Sequence, residues 1–423
     1  MIRPRRFCED LEPRVFFSTT PNDPSYASQW GLSATNAGAA WDTTTGSAAV
    51  VVADIDTGLD YKHDDLYLNV WINPAEIPAS LKKTLVDTDG DGAITFYDLN
   101  ASANKGKVTD VDKNGRIDAA DLLTRAKYGG WSDGVDEGGN GYVDDIVGWD
   151  FAGNDNDPFD LDGHGTHTAG IIGATGDNKT GVSGVNWRVS LMAVKIFDDD
   201  GYSASSKQIA RAIRYSADNG ARVSNNSWGG TRYSQTIRDA IAYAGDAGQL
   251  FVTAAGNDSR NNDSRFYASY PSDYDLDNIL SVAATTSNGS LASYSNWGQA
   301  NVDVAAPGSN VLSTYLDDGY ERMSGTSMAT PFVTGAAALM LAANSKLTAA
   351  QLKSRIINGA DQGAALAGTS VSDGELNIAN ALANATGQRY AGAASSPGSS
   401  LGGFPRRRFS LFSTVPMSGI FDA

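Results

Sequence analysis

Val50-Val51-Val52-Ala53-Asp54-Ile55-Asp56-Thr57-Gly58 is the stretch on which the reading of this chain turns. It is rich in β-branched residues and mostly apolar without strict alternation, the pattern of a strand buried on both faces. It ends in a carboxylate and a Thr-Gly turn. Working outward, further apolar runs recur at 189–197, 221–225, 250–255, 279–285 and 302–305. Amphipathic or Ala-rich stretches of helical length fall between and after them, at 205–219, 234–248, 326–344 and 348–359. Short buried strands alternating with helices imply βαβ units. The expected fold is therefore α/β: three layers, α/β/α, with a mainly parallel central sheet. In such sheets chemistry gathers at the carboxyl ends of the strands.

Composition narrows the function. Of 423 residues, 41% are hydrophobic and 19% charged, and the net charge is −17. So acidic a chain repels phosphate, which argues against DNA or RNA as partner. No apolar run approaches the ~20 residues of a bilayer span, so no transmembrane segment is expected. Cys8 is the one cysteine, which excludes an intramolecular disulfide framework. Residues 1–20 form a short charged leader without the apolar core of a secretory signal. The main domain is placed at 21–386, and 387–423 reads as a Gly/Ser-rich linker and tail.

The acidity is uneven. Residues 54–162 hold 22 Asp and 2 Glu against 9 Lys and Arg, a net of −15. Much of this lies in 74–148, an Asp-, Asn- and Gly-rich interruption that reads as an insertion with its own role. Within it, residues 87–98 fit a twelve-residue cation loop. Asp87, Asp89, Asp91, Thr95 and Asp98 supply side-chain oxygens, Ala93 its carbonyl, and Gly92 the sharp turn. Residues 110–121 repeat the scheme with Asp110, Asp112, Asn114, Asp118 and Asp121, the carbonyl of Arg116, and Gly115. Ile94 and Ile117 both occupy position 8, where such loops commonly pair through a short strand. The loops resemble EF-hand or dockerin-type calcium loops, and structural Ca²⁺ is the expected cofactor. A third stretch, 136–145, matches only in part and falls short of a full site.

Three segments carry possible catalytic chemistry: the strand end at Asp56, Asp162-Gly163-His164-Gly165-Thr166-His167, and Ser324-Gly325-Thr326-Ser327-Met328-Ala329 opening a helix. A lone Asp-Thr-Gly also suits an aspartic peptidase, but no second such motif is present. His164 and His167 could ligate zinc only with a third ligand, and His63 is the one other histidine. Taken together, in the order Asp, His, Ser, the segments resemble those of the subtilisin-like serine peptidases, over roughly residues 24–385 apart from the insertion.

That resemblance implies a serine endopeptidase acting on polypeptides. Asp56, His164 and Ser327 would be its triad, and Asn257 in Ala255-Gly256-Asn257 its side-chain oxyanion donor. It implies that Ser227, Trp228 and Gly229 pair with an extended substrate, and that Gly201 stands on the opposite wall. Ala254, Ala255 and Gly256 would line a roomy pocket with a broad apolar preference. Asp65 matches a family calcium ligand, and His63 and His167 are read as structural. The departure is the 108 residues separating Asp56 from His164, which the insertion stretches. The segment before the domain is also too short for a folded pro-region. A secreted or cell-surface monomer is expected. The rival reading is an inactive calcium-binding surface or scaffold protein.

Overall fold

A computed structural model describes residues 19–386, residue 265 excepted. The expected leader, for its first eighteen residues, and the linker and tail at 387–423 lie outside the described residues.

The strands are β1 (Gly46–Asp56), β2 (Gly148–Asp150), β3 (Arg188–Lys195), β4 (Val223–Asn226), β5 (Leu250–Ala254), β6 (Ile279–Thr285), β7 (Val304–Pro307), β8 (Val311–Tyr315), β9 (Gly319–Met323), β10 (Asp361–Gln362) and β11 (Gly374–Glu375). Nine of them form one sheet in the order β10-β11-β7-β6-β5-β4-β1-β3-β2. Every neighbouring pair in it is parallel except β10–β11. β8 and β9 form a separate antiparallel hairpin.

Alternation along the strands builds the layers. Val50 and Val52 of β1, Leu250 and Val252 of β5, and Leu280 and Val282 of β6 face one core, with Ile171, Phe332, Val333, Leu352 and Ile356 from helices. Ala53, Ile55, Phe251 and Ile279 face the other, against Ile209, Ile213, Ile237 and Ile241 of the helices Ser206–Asp218 and Gln235–Asp246. The three-layer expectation holds, and because both faces are covered the strands can be apolar throughout.

The helix Thr326–Ala343 is apolar and long enough, by length and composition, to cross a membrane, although the sequence reading finds no such run. Here it is the central core helix, and 83% of it is buried in the protein.

The insertion does not hang free. Phe96, Leu99, Ile117, Leu122 and Trp131 join the same core as Val52 and Leu191. Two short helices, Phe96–Asn100 and Ala119–Leu123, follow the two loops, each opened by a capping box. Ile94 and Ile117 do not pair as strands. Instead the Asn100 side chain answers the Ile117 backbone, its Oδ1 accepting from Ile117 N and its Nδ2 donating to Ile117 O, both at 2.8 Å. One amide has taken the hydrogen bonds that a partner strand would make.

Candidate active site

β1 delivers Asp56 to the carboxyl edge of the sheet, fully buried. Its Oδ1 accepts from Thr57 N at 2.8 Å and lies 2.6 Å from His164 Nδ1, while Oδ2 has no protein partner. Buried Lys195, in register with Asp56 on β3, donates to Thr57 O at 2.8 Å and holds the turn.

His164 begins the helix His164–Gly173. That helix reaches the β1 turn because residue 165 is glycine: a Cβ there would stand 2.2 Å from Gly58 O. Burial alone would push the His164 imidazole down. The Asp56 carboxylate outweighs it, with Asp54 and Asp162 adding, and the imidazole is raised to about 9.

Ser327 is the second residue of its helix, and its Oγ donates to Ser227 O at 3.0 Å. No hydrogen bond joins it to His164 among the described residues. Proton transfer would require the hydroxyl to turn from that carbonyl, as catalytic contacts often tighten only with substrate bound.

Asn257 follows β5. Its Oδ1 accepts from Thr326 N at 2.8 Å and Thr326 Oγ1 at 3.0 Å. That fixes which end of the amide faces the cleft. The point a Gly325 Cβ would occupy lies 3.5 Å from both Asn257 Nδ2 and Ser327 N. Two donors therefore converge on a space kept open by the missing side chain.

Behind these groups runs a buried polar relay. Asp54, two residues before Asp56 on β1, accepts from Thr168 Oγ1 and from Asn225 Nδ2, each at 2.9 Å. Asn225 Nδ2 also reaches Ser227 Oγ at 3.1 Å, which donates to Ser327 O at 2.8 Å. Thr334 Oγ1 donates to Asn225 Oδ1 at 3.0 Å. The relay ties β1, the His164 helix, β4 and the Ser327 helix into one frame. Asp54 is pushed well above the usual carboxylate range, first by burial and then by the Asp56 charge.

Two adjoining cavities open along the cleft, the first of them beside Ser327. One, about 240 Å³, is lined by Ser227, Gly229, Ala254, Gly256, Asn257 and Asp258 among others. The second, about 260 Å³, is more apolar, with Ile196, Phe197, Trp228, Ile237, Tyr270 and Tyr274. Trp228 and Gly229 border both. Gly201 stands in an exposed turn outside both linings. Asp258, Tyr270 and Tyr274 were not anticipated. Asp258 adjoins Asn257 and could have been; the tyrosines come from a distant loop without a local signature.

The carboxylates of Asp87, Asp89 and Asp91 gather within 4.8 Å of one another, as do those of Asp110, Asp112 and Asp121. Gly92 and Gly115 have φ of 91° and 93°, the left-handed turn expected at position 6. Thr95 and Asp98 are drawn instead into a capping box, with Asp98 Oδ1 accepting from Thr88 N at 2.7 Å. Asn114 Nδ2 and Arg116 Nε both donate to Asp118 Oδ2, at 2.9 and 3.1 Å. The Ala93 and Arg116 carbonyls belong to the same two loops. Asp91 is raised, first by burial and then by the charges of Asp89 and Asp87. Such crowding among oxygens alone suits a hard divalent cation.

Asp65 is buried and accepts from Asn178 Nδ2 at 2.7 Å, Val182 N at 2.9 Å and Tyr320 OH at 3.1 Å. Burial pushes it up to about 7, and the charge of nearby Asp23 adds to this. Asp23, which the sequence did not single out, accepts from the backbone of Asp177 and Asn178 on the same loop.

His63 Nε2 faces Gly319 O, and buried His167 faces Val311 O and Glu321 O. Among the described residues the histidines form no metal-ligating group.

A family model described as the Subtilase family matches residues 47–385. Thermitase of Thermoactinomyces vulgaris is 33% identical over 344 residues, covering 81% of this chain and 92% of that protein. A thermophilic serine proteinase of Bacillus sp. (strain AK1) is 35% identical over 335 residues, covering 78% of this chain. The chain spans 63% of that relative's length. Among solved structures, a protease from Pseudoalteromonas arctica PAMC 21717 is similar, with a TM-score of 0.61 and 28% identity, over 87% of this chain and all of that one.

Proposed function

This chain belongs to the subtilase family, and from that premise we propose that it is a serine endopeptidase working through Asp56, His164 and Ser327. The observation that carries the reading is the convergence of Asn257 Nδ2 and Ser327 N on one open point beside the Ser327 hydroxyl. Two N–H donors aimed at one point suit an oxygen that develops negative charge.

The roles follow from the geometry. A serine hydroxyl is a weak nucleophile until a base takes its proton. His164 accepts that proton through Nε2, because its Nδ1 is committed to Asp56. Asp56 fixes the tautomer and stabilises the imidazolium. Ser327 Oγ attacks the carbonyl carbon, and the carbonyl oxygen, now negative, moves between the two N–H donors. His164 then gives its proton to the leaving amine, leaving an acyl-enzyme that water hydrolyses by the same steps in turn.

The substrate lies extended along Ser227, Trp228 and Gly229, in the added-strand mode. The cavity at Ala254 and Gly256 takes the side chain before the cleaved bond, and the apolar cavity at Trp228 takes one further upstream. The opposite wall is assigned to the exposed turn that carries Gly201.

Calcium is proposed as a structural ion only. The loops at 87–98 and 110–121, and the pair Asp65 and Asp23, would hold it. A secreted or surface-bound monomer is the setting we assign, where calcium is abundant enough to fill even weak loops of this type.

The test is labelling of the full chain with a serine-reactive fluorophosphonate, alongside hydrolysis of unfolded casein. Wild type should label and cleave. Ser327→Ala should keep its melting temperature, lose labelling, and retain at most the ~10³–10⁴-fold advantage over water that binding and the oxyanion site supply. Cleavage at the wild-type rate by that variant would end the proposal.

A further inference from the structure

β5 ends at Ala254, and Asn257 stands three residues beyond it, on a loop. A donor in a reacting site must be held within about 0.5 Å of its working place, and loops hold side chains less firmly than strands or helices do. Thr326 fixes the amide end of Asn257. The backbone beneath that amide is held from a distant part of the chain.

Asn296 lies in the connection between β6 and β7 and is only 2% exposed. Its Oδ1 accepts from Asp258 N and from Arg260 N, both at 3.0 Å. Its Nδ2 donates to Ala255 O at 3.0 Å, and its backbone N–H donates to Gly256 O at 2.8 Å. One residue thus bonds the main chain on both sides of Asn257, twice before it and twice after. Two N–H groups at one end and a carbonyl at the other leave the Asn296 amide only one way round. Asn262 Nδ2 shares the Ala255 carbonyl at 2.9 Å, so the contacts that distinguish Asn296 are those to Asp258 and Arg260.

The brace is grounded in the sheet. Ser295 Oγ accepts from Ala284 N of β6 at 2.9 Å and donates to Asn296 O at 2.8 Å. The fit is also close. A Cβ on Gly256, whose φ is 110°, would stand 2.4 Å from Asn296 Nδ2, so only glycine admits the amide against the loop it holds.

We propose that Asn296 is a positioning residue for the oxyanion site, acting through Asn257. The inference rests on the endopeptidase reading above. Asn257 Nδ2 and Ser327 N must meet the same oxygen, and the helix Thr326–Ala343 fixes the second of them. Asn296 sets the first by carrying the position of β6 across to the loop. It is not among the residues that line the cavity beside Ser327, so its influence falls on the step in which charge develops rather than on substrate binding.

The experiment is a double-mutant cycle on a chromogenic peptide anilide, with folding followed by thermal melts and active molecules counted by fluorophosphonate. Asn296→Ala should keep the fold, lower kcat about tenfold and move KM by less than about twofold. Asn257→Ala should lower kcat by ~10²–10³. In that background Asn296→Ala should cost less than about twofold further, because the donor it positions is already gone. A peptide aldehyde places its oxygen in the oxyanion position once Ser327 Oγ has added to its carbonyl carbon and the hydroxyl proton has passed to His164. It should bind Asn296→Ala about tenfold more weakly than wild type. Should that variant fold poorly, Asn296→Ser, which keeps a polar group in the same space, carries the same cycle. Wild-type kcat in a folded variant would overturn the proposal. So would an equal loss in both backgrounds, the mark of a residue that serves stability alone. A wild type that neither labels nor cleaves would remove the endopeptidase reading and this role with it, whereas a wild type that does both, with an additive cycle, would remove this role only.

Discussion

At His164 the Asp56 carboxylate decides the pH at which the site can work. A protonated imidazole cannot take the Ser327 proton, and a raised imidazole value keeps it protonated longer as pH climbs. We therefore expect kcat/KM on an uncharged peptide to rise with pH along a limb displaced above the ~6.5 of a free imidazole. A pH series locates it, and a limb at or below that value would remove Asp56 as the dominant influence. Asp54 behaves in the opposite sense to an ordinary surface carboxyl. It faces Asp56 from its own strand and His164 from the helix above, and its raised value means that the native state holds its proton while the unfolded chain releases it. As pH rises from 3.8 toward the native value, the unfolded state gains, so stability drains away through that window. Asp54→Asn keeps the bond its oxygen accepts from Asn225 and reverses the other, its Nδ2 donating to Thr168 Oγ1 while that hydroxyl donates to Gly165 O, without a proton to lose. It should melt higher than wild type at neutral and alkaline pH, with the difference vanishing below the ordinary carboxylate range, and hydrolyse peptides near the wild-type rate. A lower melting temperature at pH 8 would show that the ionised form is the one the frame needs.

Elements meet at the site by backbone contact, and glycine permits it. The His164 helix rests on the Gly58 turn, where a Cβ on residue 165 would come within 2.2 Å of a carbonyl oxygen. Gly165→Ala should force the two apart, destabilising the fold by about 1–3 kcal/mol or more. A displacement near 1 Å at the His164–Asp56 contact should lower kcat by ~10². Denaturant melts and kinetics measure both, and a variant with wild-type kcat would mean that the helix position does not depend on this contact. The same elements show what was legible in the sequence. β1, β5 and the Ser327 helix announce themselves because burial on both sheet faces demands unbroken apolar runs, and their ends carry Asp56, Asn257 and Ser327. The two clusters of gathered carboxylates were legible because their residues lie close together in sequence. Asp23, Tyr270 and Tyr274 were not, because each reaches its place through contacts between distant segments that leave no periodic trace. The strand expected between Ile94 and Ile117 failed for a related reason, since one side chain, Asn100, can satisfy a backbone as well as a strand can.

For the whole molecule, the insertion and the sheet share one core, so calcium should act on global stability rather than on chemistry. Chelation should lower the melting temperature of the entire domain, and restored calcium should raise it. A ligand at a hundredfold excess over its Kd adds about 2.7 kcal/mol when it binds only the folded form. Activity per folded molecule should be unchanged, which scanning calorimetry and active-site titration check together; a melt indifferent to chelator would dismiss the structural ions. The neck of the insertion carries a further consequence. Asn73 N donates to Ile146 O at 2.8 Å, and its side chain holds Asp145. The chain is pinched shut there, so a chain bringing Asp56 to His164 closes a loop of only about 35 residues outside the pinch, not 108. Loop entropy grows only as the logarithm of length, each doubling adding ~0.6 kcal/mol. Segments far longer or shorter than this one could therefore hang from the same neck, gained or lost in descent, while Asp56 and His164 stay in register.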